Sequence, residues 1–470
     1  MTQLHDMTAL EQAAAVRARD VSPVELVDHY LARIEELNES VGAFITVTPE
    51  RAREQAAVAA QVVVDRVDLA PLHGVPTAIK DLQLTAGIRT TLGSAVYADY
   101  VPPVDDHVVT LLRRAGTISL GKTNTPEFGL PCYTEPEVAP PARTPWDLSR
   151  SAGGSSGGAA AAVAAGLVPF AQGGDGAGSI RIPASVCGLY GIKVSSGRVS
   201  NGPVRGDVTG LAWCGPLART VRDAAVMLDA MAVPMPGDPH WPAPPASGTF
   251  LAAAGQEPGP LRIGRSITPV IDVEVDPECL RAYDATTALL ASLGHDVVDV
   301  APPFDAGLKE SFITLWSVLA AGVPVGPADE HRLRPLTRVL RERGKATSAP
   351  AFTAALSAIQ HGTRLAIAAT AHCDVVLTPT LAQLPRAVGS FRDDADPWAE
   401  FDELAAFTPF TAPYNATGQP AVNVPIQWTD GGLPVGVQLV GRPHDEATLI
   451  SLSAQLEAAQ PWVGRSPLMW

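Results

Sequence analysis

Residues 151–185 read SAGGSSGGAAAAVAAGLVPFAQGGDGAGSIRIPAS, in which two clusters of serine and glycine flank an alanine-rich segment. The alanine-rich segment favours a tightly packed helix. Glycine lets the backbone adopt positive φ angles and approach a ligand closely. The N–H groups of Gly176, Ala177, Gly178 and Ser179 are therefore predicted to line an oxyanion hole. Such donors stabilise the tetrahedral intermediate of acyl transfer by about 3–4 kcal/mol each.

On both sides of this stretch, between residues 72 and 215, short apolar runs alternate with glycine-rich turns. This rhythm predicts strands of a sheet with helices between them. A second strand–helix series begins near 261–267, and strand patterns return at 373–380 and 420–440. No repeat and no independent linker interrupts the chain, so a single α/β domain is predicted. Apolar periodicity predicts further helices at 8–38, 50–66, 220–231, 279–293, most of 306–370, and 447–459.

Composition limits the possible partners. The 470 residues suffice for one large α/β domain or two ordinary ones, and the 46% hydrophobic share allows a sizeable core. A net charge of -15 argues against nucleic acid, whose phosphates need a basic face. The N-terminal residues lack a secretory pattern, and the longest low-polarity run, 157–170, is too short to span a bilayer. Five widely spaced cysteines fit reduced thiols, so a cytoplasmic protein without membrane partners is predicted.

One lysine is the best candidate for a catalytic base. A serine hydroxyl is a poor nucleophile until a neighbouring base removes its proton, yet no histidine occurs between His107 and His240. Only five of the 34 basic residues are lysine, and Lys80 lies in GVPTAIKDLQ, an apolar strip on a predicted strand. Burial favours neutral lysine, which can accept a proton. Ser155 would relay the proton between Lys80 and Ser179.

These motifs resemble the amidase-signature hydrolases. GGSSGG followed by GDGAGSIRIPAS is similar to the central motif of that family, and GVPTAIKDLQ to its lysine motif. The spacings agree as well, with 75 positions from Lys80 to Ser155 and 24 from Ser155 to Ser179. The resemblance is strong over residues 70–232, good over 410–460 and weaker between. Within the family the chain looks most like the cyclic nylon-oligomer hydrolases, the 6-aminohexanoate cyclic-dimer hydrolase type, and related bacterial amidases.

The resemblance implies a fold and a division of the chain. The expected fold is a single domain with a central mixed β-sheet covered by helices on both faces. Its parts would be an N-terminal helical segment at about 1–66, a catalytic core at 67–232, a variable substrate-pocket segment at 233–405, and a C-terminal return to the core at 406–470.

The resemblance also implies roles for single residues. Ser179 would be the nucleophile, Ser155 a bridging serine on a cis peptide, and Lys80 the base. Asp175, Arg181 and Ser156 would support the loops around them.

The sequence departs from the family pattern at two places. Ala177 stands where many members have glycine, and its methyl group leaves the N–H in place. Val194, Ser195 and Ser196 follow Lys193 where members commonly carry Pro-Thr, downstream of the chemistry.

Other interpretations of the same motifs remain open. Residues 153–157 also fit the G-x-S-x-G nucleophile elbow, which would need a histidine partner later in the chain. GGDGAG resembles a dinucleotide loop but lacks the full G-x-G-x-x-G pattern. Lys80 alone would suit a structural lysine that bonds carbonyl groups. His29, His73 and His107 have no metal-ligand spacing, so neither a metal nor another cofactor is predicted.

The expected activity is hydrolysis of a small carboxamide to a carboxylic acid and ammonia or an amine, through an acyl-enzyme. Ester or carbamate cleavage would use the same chemistry. Tyr133 and Trp316 are candidates for an apolar acyl pocket, with core packing as the alternative, and Asn415 is a candidate for the cleft. The rival function is the glutaminase subunit of a tRNA-dependent amidotransferase. A dead scaffold is disfavoured because all three catalytic positions are filled, and a homodimer is left open.

Overall fold

The computed structural model describes residues 3–65, 68–204, 206–301, 303–305 and 307–470. The strands are β1 Phe44–Val47, β2 Pro76–Lys80, β3 Ile118–Thr123, β4 Phe170–Asp175, β5 Tyr190–Lys193, β6 Trp213–Ala218, β7 Arg262–Arg265, β8 Asp296–Asp299, β9 Val375–Pro379, β10 Ala421–Trp428 and β11 Pro434–Gly441.

The helices confirm the predicted helical segments. They are α1 Ala9–Ala18, α2 Pro23–Val41, α3 Pro49–Asp65, α4 His107–Arg114, α5 Gly157–Ala164, α6 Arg181–Cys187, α7 Val221–Met231, α8 Phe250–Ala253, α9 Pro277–Ser292, α10 Leu308–Gly322, α11 Pro335–Ala346, α12 Ala349–Thr370, α13 Pro397–Phe407, α14 Ala412–Ala416 and α15 Glu446–Ala459.

The strands form one mixed sheet in the order β1-β3-β2-β4-β6-β5-β10-β11-β9-β7-β8. Strand β2 is parallel to both of its neighbours, β3 and β4, whereas the run from β4 to β9 is antiparallel. Parallel pairing returns at β7, which lies between β9 and β8. The predicted α/β class with a mixed sheet is confirmed. The division into four segments stays a prediction, and its boundary at 66/67 lies outside the described residues.

Helices cover the sheet on both faces. Successive side chains of a strand point to opposite faces, and accordingly Ala78 and Ile79 on β2 belong to two different buried clusters. The cluster around Ala78 includes side chains of α2, α5 and α10, whereas the cluster around Ile79 includes side chains of α7, α9 and α15. The sheet is therefore buried between two helical layers.

Helix α5 shows why the alanine-rich segment is so small in side-chain volume. All eight of its residues are buried. A Cβ atom added to Gly158 would lie 2.3 Å from the backbone nitrogen of Asn124, so only glycine lets this helix approach the end of β3. Close packing here brings the serines that precede α5 beside the strand ends.

The topology places the two serine–glycine clusters at one edge of the sheet. Strands β2 and β4 run parallel and end at Lys80 and Asp175, so their carboxyl ends meet. The first cluster leads into α5, and the second joins β4 to α6. Ligands of α/β proteins bind at such carboxyl ends, and the candidate residues come together there.

Candidate active site

Lys80 ends β2 with its side chain enclosed, 1% exposed. Its Nζ lies 2.8 Å from Ser155 Oγ and 2.9 Å from Ser156 Oγ, and it donates to the carbonyl of Gly174 at 3.2 Å. The backbone N–H of Lys80 donates to Gln172 Oε1 at 3.0 Å. An amine held between two hydroxyl groups can exchange a proton with either of them.

The loop before α5 holds the two serines in fixed positions. The peptide bond between Gly154 and Ser155 is cis, and Thr125 Oγ1 donates to the carbonyl of Ser155 at 3.0 Å. Ser156 Oγ donates to the carbonyl of Gly174 at 3.1 Å and accepts from its N–H at 3.2 Å. The N–H of Ser156 donates to the carbonyl of Ser179 at 3.1 Å. The first serine cluster is thus bonded directly to the second.

A buried ion pair organises the second cluster. The carboxylate of Asp175 accepts from Arg181 Nε at 3.0 Å and from Nη2 at 2.9 Å, with both side chains fully buried. Burial alone would raise the pKa of this carboxyl. The Arg181 guanidinium outweighs that effect, together with hydrogen bonds from Arg181 and Asn415, and the pKa lies well below its ordinary value. Asp175 is therefore a fixed anion inside the loop.

One predicted oxyanion donor, the N–H of Gly178, is bound instead to the Asp175 carboxylate. Its Oδ1 accepts the N–H of Gly178 at 2.7 Å, so that N–H is not directed at a ligand. This bond from residue i to the N–H of i+3 is the usual local hydrogen bond of an aspartate side chain. The N–H groups of Gly176, Ala177 and Ser179 form no hydrogen bond within the described part of the chain. The predicted set of four donors is reduced to these three.

Ser179 faces a cavity of about 140 Å³ that is partly open to solvent. Its side chain is nearly buried, and its hydroxyl forms no hydrogen bond with another described residue. Ser155 and Lys80 are in contact with each other, but no hydrogen bond joins Ser155 Oγ to Ser179 Oγ in the described structure. The relay predicted between the two serines therefore stays a prediction, although Ser155 and Ser179 lie on loops that are bonded to each other.

Of the three predicted pocket residues, only Trp316 lines the cavity. Tyr133 does not, because its side chain is buried in a polar cluster, where its hydroxyl donates to Glu400 Oε1 at 2.6 Å and accepts from Arg334. The prediction for Tyr133 is wrong, although the three residues that precede it do line the cavity.

Asn415 is also not a cleft residue. It is 1% exposed, and its Nδ2 donates to the carbonyl and to Oδ1 of Asp175, at 3.0 and 2.9 Å. Its Oδ1 accepts from Arg181 at 2.5 Å. Asn415 therefore supports the ion pair rather than a substrate, which corrects the prediction.

Thr411 was not identified from the sequence. Its Oγ1 donates to the carbonyl of Ala177 at 2.7 Å, and its own carbonyl accepts from Arg181 Nη1 at 3.0 Å. It therefore holds the loop that carries Ser179 in place. Thr411 directly precedes the APYNATGQP segment. That position alone does not predict a contact with Ala177 or Arg181.

The scarcity of lysine proves informative, because three of the five lysines are buried: Lys80, Lys122 and Lys193. Lys122 lies 3.6 Å from the Asp81 carboxylate. Burial lowers the pKa of Lys193 to about 7, helped by the Arg181 charge and opposed by Asp175 and Glu446. Its Nζ donates to the carbonyls of Gln419 and Val194, at 2.7 and 2.9 Å. A buried lysine with a lowered pKa therefore lies near the site.

Two absences concern the described residues alone. Within the ranges given above, no group of three or more His, Cys, Asp or Glu side chains could hold a metal ion. No helix in that part of the chain is long and apolar enough to cross a membrane.

Comparison with known proteins identifies the family. The family model described as Amidase matches residues 25–450. The chain belongs to the amidase family. This amidase is 36% identical over 490 residues to the 6-aminohexanoate-cyclic-dimer hydrolase of Paenarthrobacter ureafaciens, covering 98% of this chain and 96% of that enzyme. It is 34% identical over 477 residues to an acylamidase of Rhodococcus erythropolis, covering 99% and 98%.

Solved structures agree with the sequence comparison. The amidase superposes on a 6-aminohexanoate cyclic dimer hydrolase with a TM-score of 0.92 at 34% identity, covering 100% of both chains. A bacterial aryl acylamidase of the amidase-signature family gives a TM-score of 0.88 at 26% identity, covering 99% of this chain and 100% of that one. The predicted amidase-signature fold is confirmed, and the protein is a hydrolase that acts on amide bonds.

Proposed function

We propose that this amidase cleaves carboxamides through an acyl-enzyme formed on Ser179, with Ser155 as the proton relay and Lys80 as the base. The observation that carries the proposal is the contact of 2.8 Å between Lys80 Nζ and Ser155 Oγ, beside a loop that presents Ser179 to a cavity. All three side chains come from one chain, so no partner is needed for the chemistry. A cytoplasmic location and a homodimer stay predictions.

In the proposed acylation, neutral Lys80 accepts the Ser155 proton while Ser155 accepts the proton of Ser179. Ser179 Oγ then bonds to the amide carbon, and the carbonyl oxygen becomes an oxyanion. The proton returns through Ser155 to the amide nitrogen, the C–N bond breaks, and ammonia or an amine leaves. Water, deprotonated by the same relay, attacks the ester and releases the carboxylic acid and free Ser179.

The oxyanion would be stabilised by the N–H groups of Gly176, Ala177 and Ser179. Each preorganised donor contributes about 3–4 kcal/mol to a transition state of this kind. The Asp175 carboxylate keeps the loop in its conformation by holding the N–H groups of Gly178 and Ile180, at 2.7 and 3.1 Å.

The glutaminase alternative is not favoured. The relatives cited above are hydrolases and acylamidases by name, and each is covered over nearly its whole length. In addition, glutamine carries an α-ammonium and an α-carboxylate. The cavity beside Ser179 is lined mostly by apolar side chains, where such charges would be poorly solvated.

A substrate panel tests the activity. The purified chain, offered simple amides, anilides, lactams and glutamine, should hydrolyse neutral amides and leave glutamine largely intact.

Labelling gives a direct test of the nucleophile. A fluorophosphonate should modify Ser179, identified by peptide mass spectrometry, and the Ser179→Ala variant should stay unlabelled. A label on Ser155 would instead support the nucleophile-elbow interpretation. Rapid hydrolysis of glutamine would favour the amidotransferase function.

A second prediction concerns Gly178. Its φ is +124°, and an added Cβ would lie 2.3 Å from Thr411 Oγ1. Gly178→Ala should therefore lower the free energy of unfolding by about 1–3 kcal/mol through overpacking, and should lower kcat because the displaced loop carries Ser179. Thermal unfolding and steady-state kinetics measure both effects.

The matched control for Gly178→Ala is Ala177→Gly, which keeps the N–H and restores the residue common in the family. It should retain nearly wild-type stability and kcat. Full activity and stability in Gly178→Ala would mean that this loop tolerates displacement, and the oxyanion assignment would fail.

A further inference from the structure

The cavity beside Ser179 is lined mainly by apolar side chains. It lies against α10 and α13, and aromatic and aliphatic side chains make up most of its surface. Phe312 and Trp316 on α10 stack with ring centroids 5.7 Å apart. On α13 the lining includes Phe401 and Leu404.

The position of the proton relay decides which half of the substrate enters this cavity. Ser179 and Ala177 line the cavity, whereas Lys80 and Ser155 do not. In the proposed function, on which this inference rests, the leaving nitrogen must receive its proton from Ser155. The amine therefore lies on the side of Lys80, and the acyl substituent, on the other side of the reacting carbon, extends into the cavity.

The cavity offers no unpaired charge to an acyl group. Lys309 is the one charged side chain on its described lining, and its Nζ lies 2.9 Å from Asp402 Oδ1. A carboxylate at the far end of an acyl chain would lose its hydration and find Lys309 already paired. An ammonium there would find no anion among the described lining residues. A neutral chain would lose only contact with water.

We infer that the cavity is the acyl site and that it selects uncharged, apolar acyl groups of medium length, with Trp316 as a specificity-determining wall. Each buried methylene group should raise kcat/KM about three- to fourfold, the rate equivalent of the usual transfer free energy. Four added methylenes separate hexanoyl from acetyl, so hexanoyl amides should be preferred by about 10²-fold. A 6-aminohexanoyl amide has the same six carbons and a terminal ammonium, and it should lose most of that advantage in kcat/KM.

The experiment compares four p-nitroanilides, the acetyl, butanoyl, hexanoyl and 6-aminohexanoyl derivatives, by kcat/KM for the released p-nitroaniline. A rise along the neutral series and a fall for the charged chain would support the inference. Equal rates for acetyl and hexanoyl, or a preference for the charged chain, would overturn it.

A parallel series of N-alkyl acetamides tests the orientation of the substrate. If kcat/KM depended on the length of the amine instead of the acyl group, the leaving group would lie in the cavity.

The variant Trp316→Ala should lower the ratio of hexanoyl to acetyl kcat/KM at least tenfold, because the indole wall is lost. The ratio does not depend on how much of the variant is folded. Trp241→Ala is the matched control, since Trp241 is 64% exposed and lies outside the cavity, and its ratio should not change. An unchanged ratio in Trp316→Ala would remove Trp316 from the acyl site. If none of the anilides is hydrolysed and Ser179 is not labelled, the proposed function itself fails.

Discussion

Replacing Lys80 with alanine should lower kcat on a simple amide by about 10⁴-fold, at the upper end of what one general base supplies, while the chain stays folded. The Nζ contacts the hydroxyl of Ser155, the proposed relay, so its loss leaves Ser179 with no base among the residues of the proposed mechanism. Steady-state kinetics on an amide measures the loss, and circular dichroism checks the fold.

The kcat of Lys80→Ala should fall much less on an activated ester than on an amide. An amide nitrogen must be protonated before it leaves, whereas the leaving group of an activated ester departs unaided. Lys80→Arg should recover little amidase activity, because guanidinium stays protonated and cannot accept a proton. Substantial activity in Lys80→Arg would mean that Lys80 only supplies positive charge and that another group is the base.

The pH profile separates Lys80 from a second lysine. Activity requires neutral Lys80, so kcat/KM should rise with pH along a limb that follows loss of its proton. Lys193 is a second candidate for this limb, because burial lowers its pKa to about 7. Lys193→Met should leave the position of the limb unchanged. A limb that moves in Lys193→Met would assign it to that residue and weaken the mechanism proposed for Lys80.

Much of the site can be predicted from the sequence because its members lie within short motifs at the ends of adjacent strands. GVPTAIKD ends β2, and GGD ends the parallel strand β4, so topology alone brings Lys80 beside the second serine cluster. The alternation of apolar runs and glycine turns was sufficient to predict the sheet. The strand order, in which β7 to β9 join the same sheet, depends on pairings that no local pattern encodes.

Two of the incorrect predictions, for Tyr133 and Asn415, share a physical cause, which is dependence on distant partners. Tyr133 stands beside three cavity residues, yet its hydroxyl bonds Glu400, 267 positions away. Asn415 stands on a turn rich in glycine and proline, but bonds Asp175, 240 positions away. Gly178 differs from both, because its N–H is taken by an aspartate three residues earlier. That local bond could have been predicted from the usual behaviour of aspartate side chains.

Asp175→Asn should lower the free energy of unfolding by about 3–5 kcal/mol, because it leaves the fully buried Arg181 guanidinium without its charged partner. The neutral amide also cannot accept all the N–H groups that the carboxylate now holds, so the Ser179 loop should loosen and kcat should fall with stability. Urea denaturation measures the first effect. Asp299→Asn is the matched control, because Asp299 forms a surface-exposed ion pair with Arg265. This variant should lower the free energy of unfolding by less than about 1 kcal/mol.

The pH dependence of this stability difference follows from the lowered pKa of Asp175. A carboxyl with a lower pKa in the folded state stabilises the fold above its unfolded pKa, about 3.9, and loses that contribution as pH falls towards the folded value. The gap in unfolding free energy between wild type and Asp175→Asn should therefore narrow as the pH falls below about 4. If the gap stays constant through that acid range, or if Asp175→Asn is as stable as wild type, the carboxylate is not the anion that holds Arg181 and the loop.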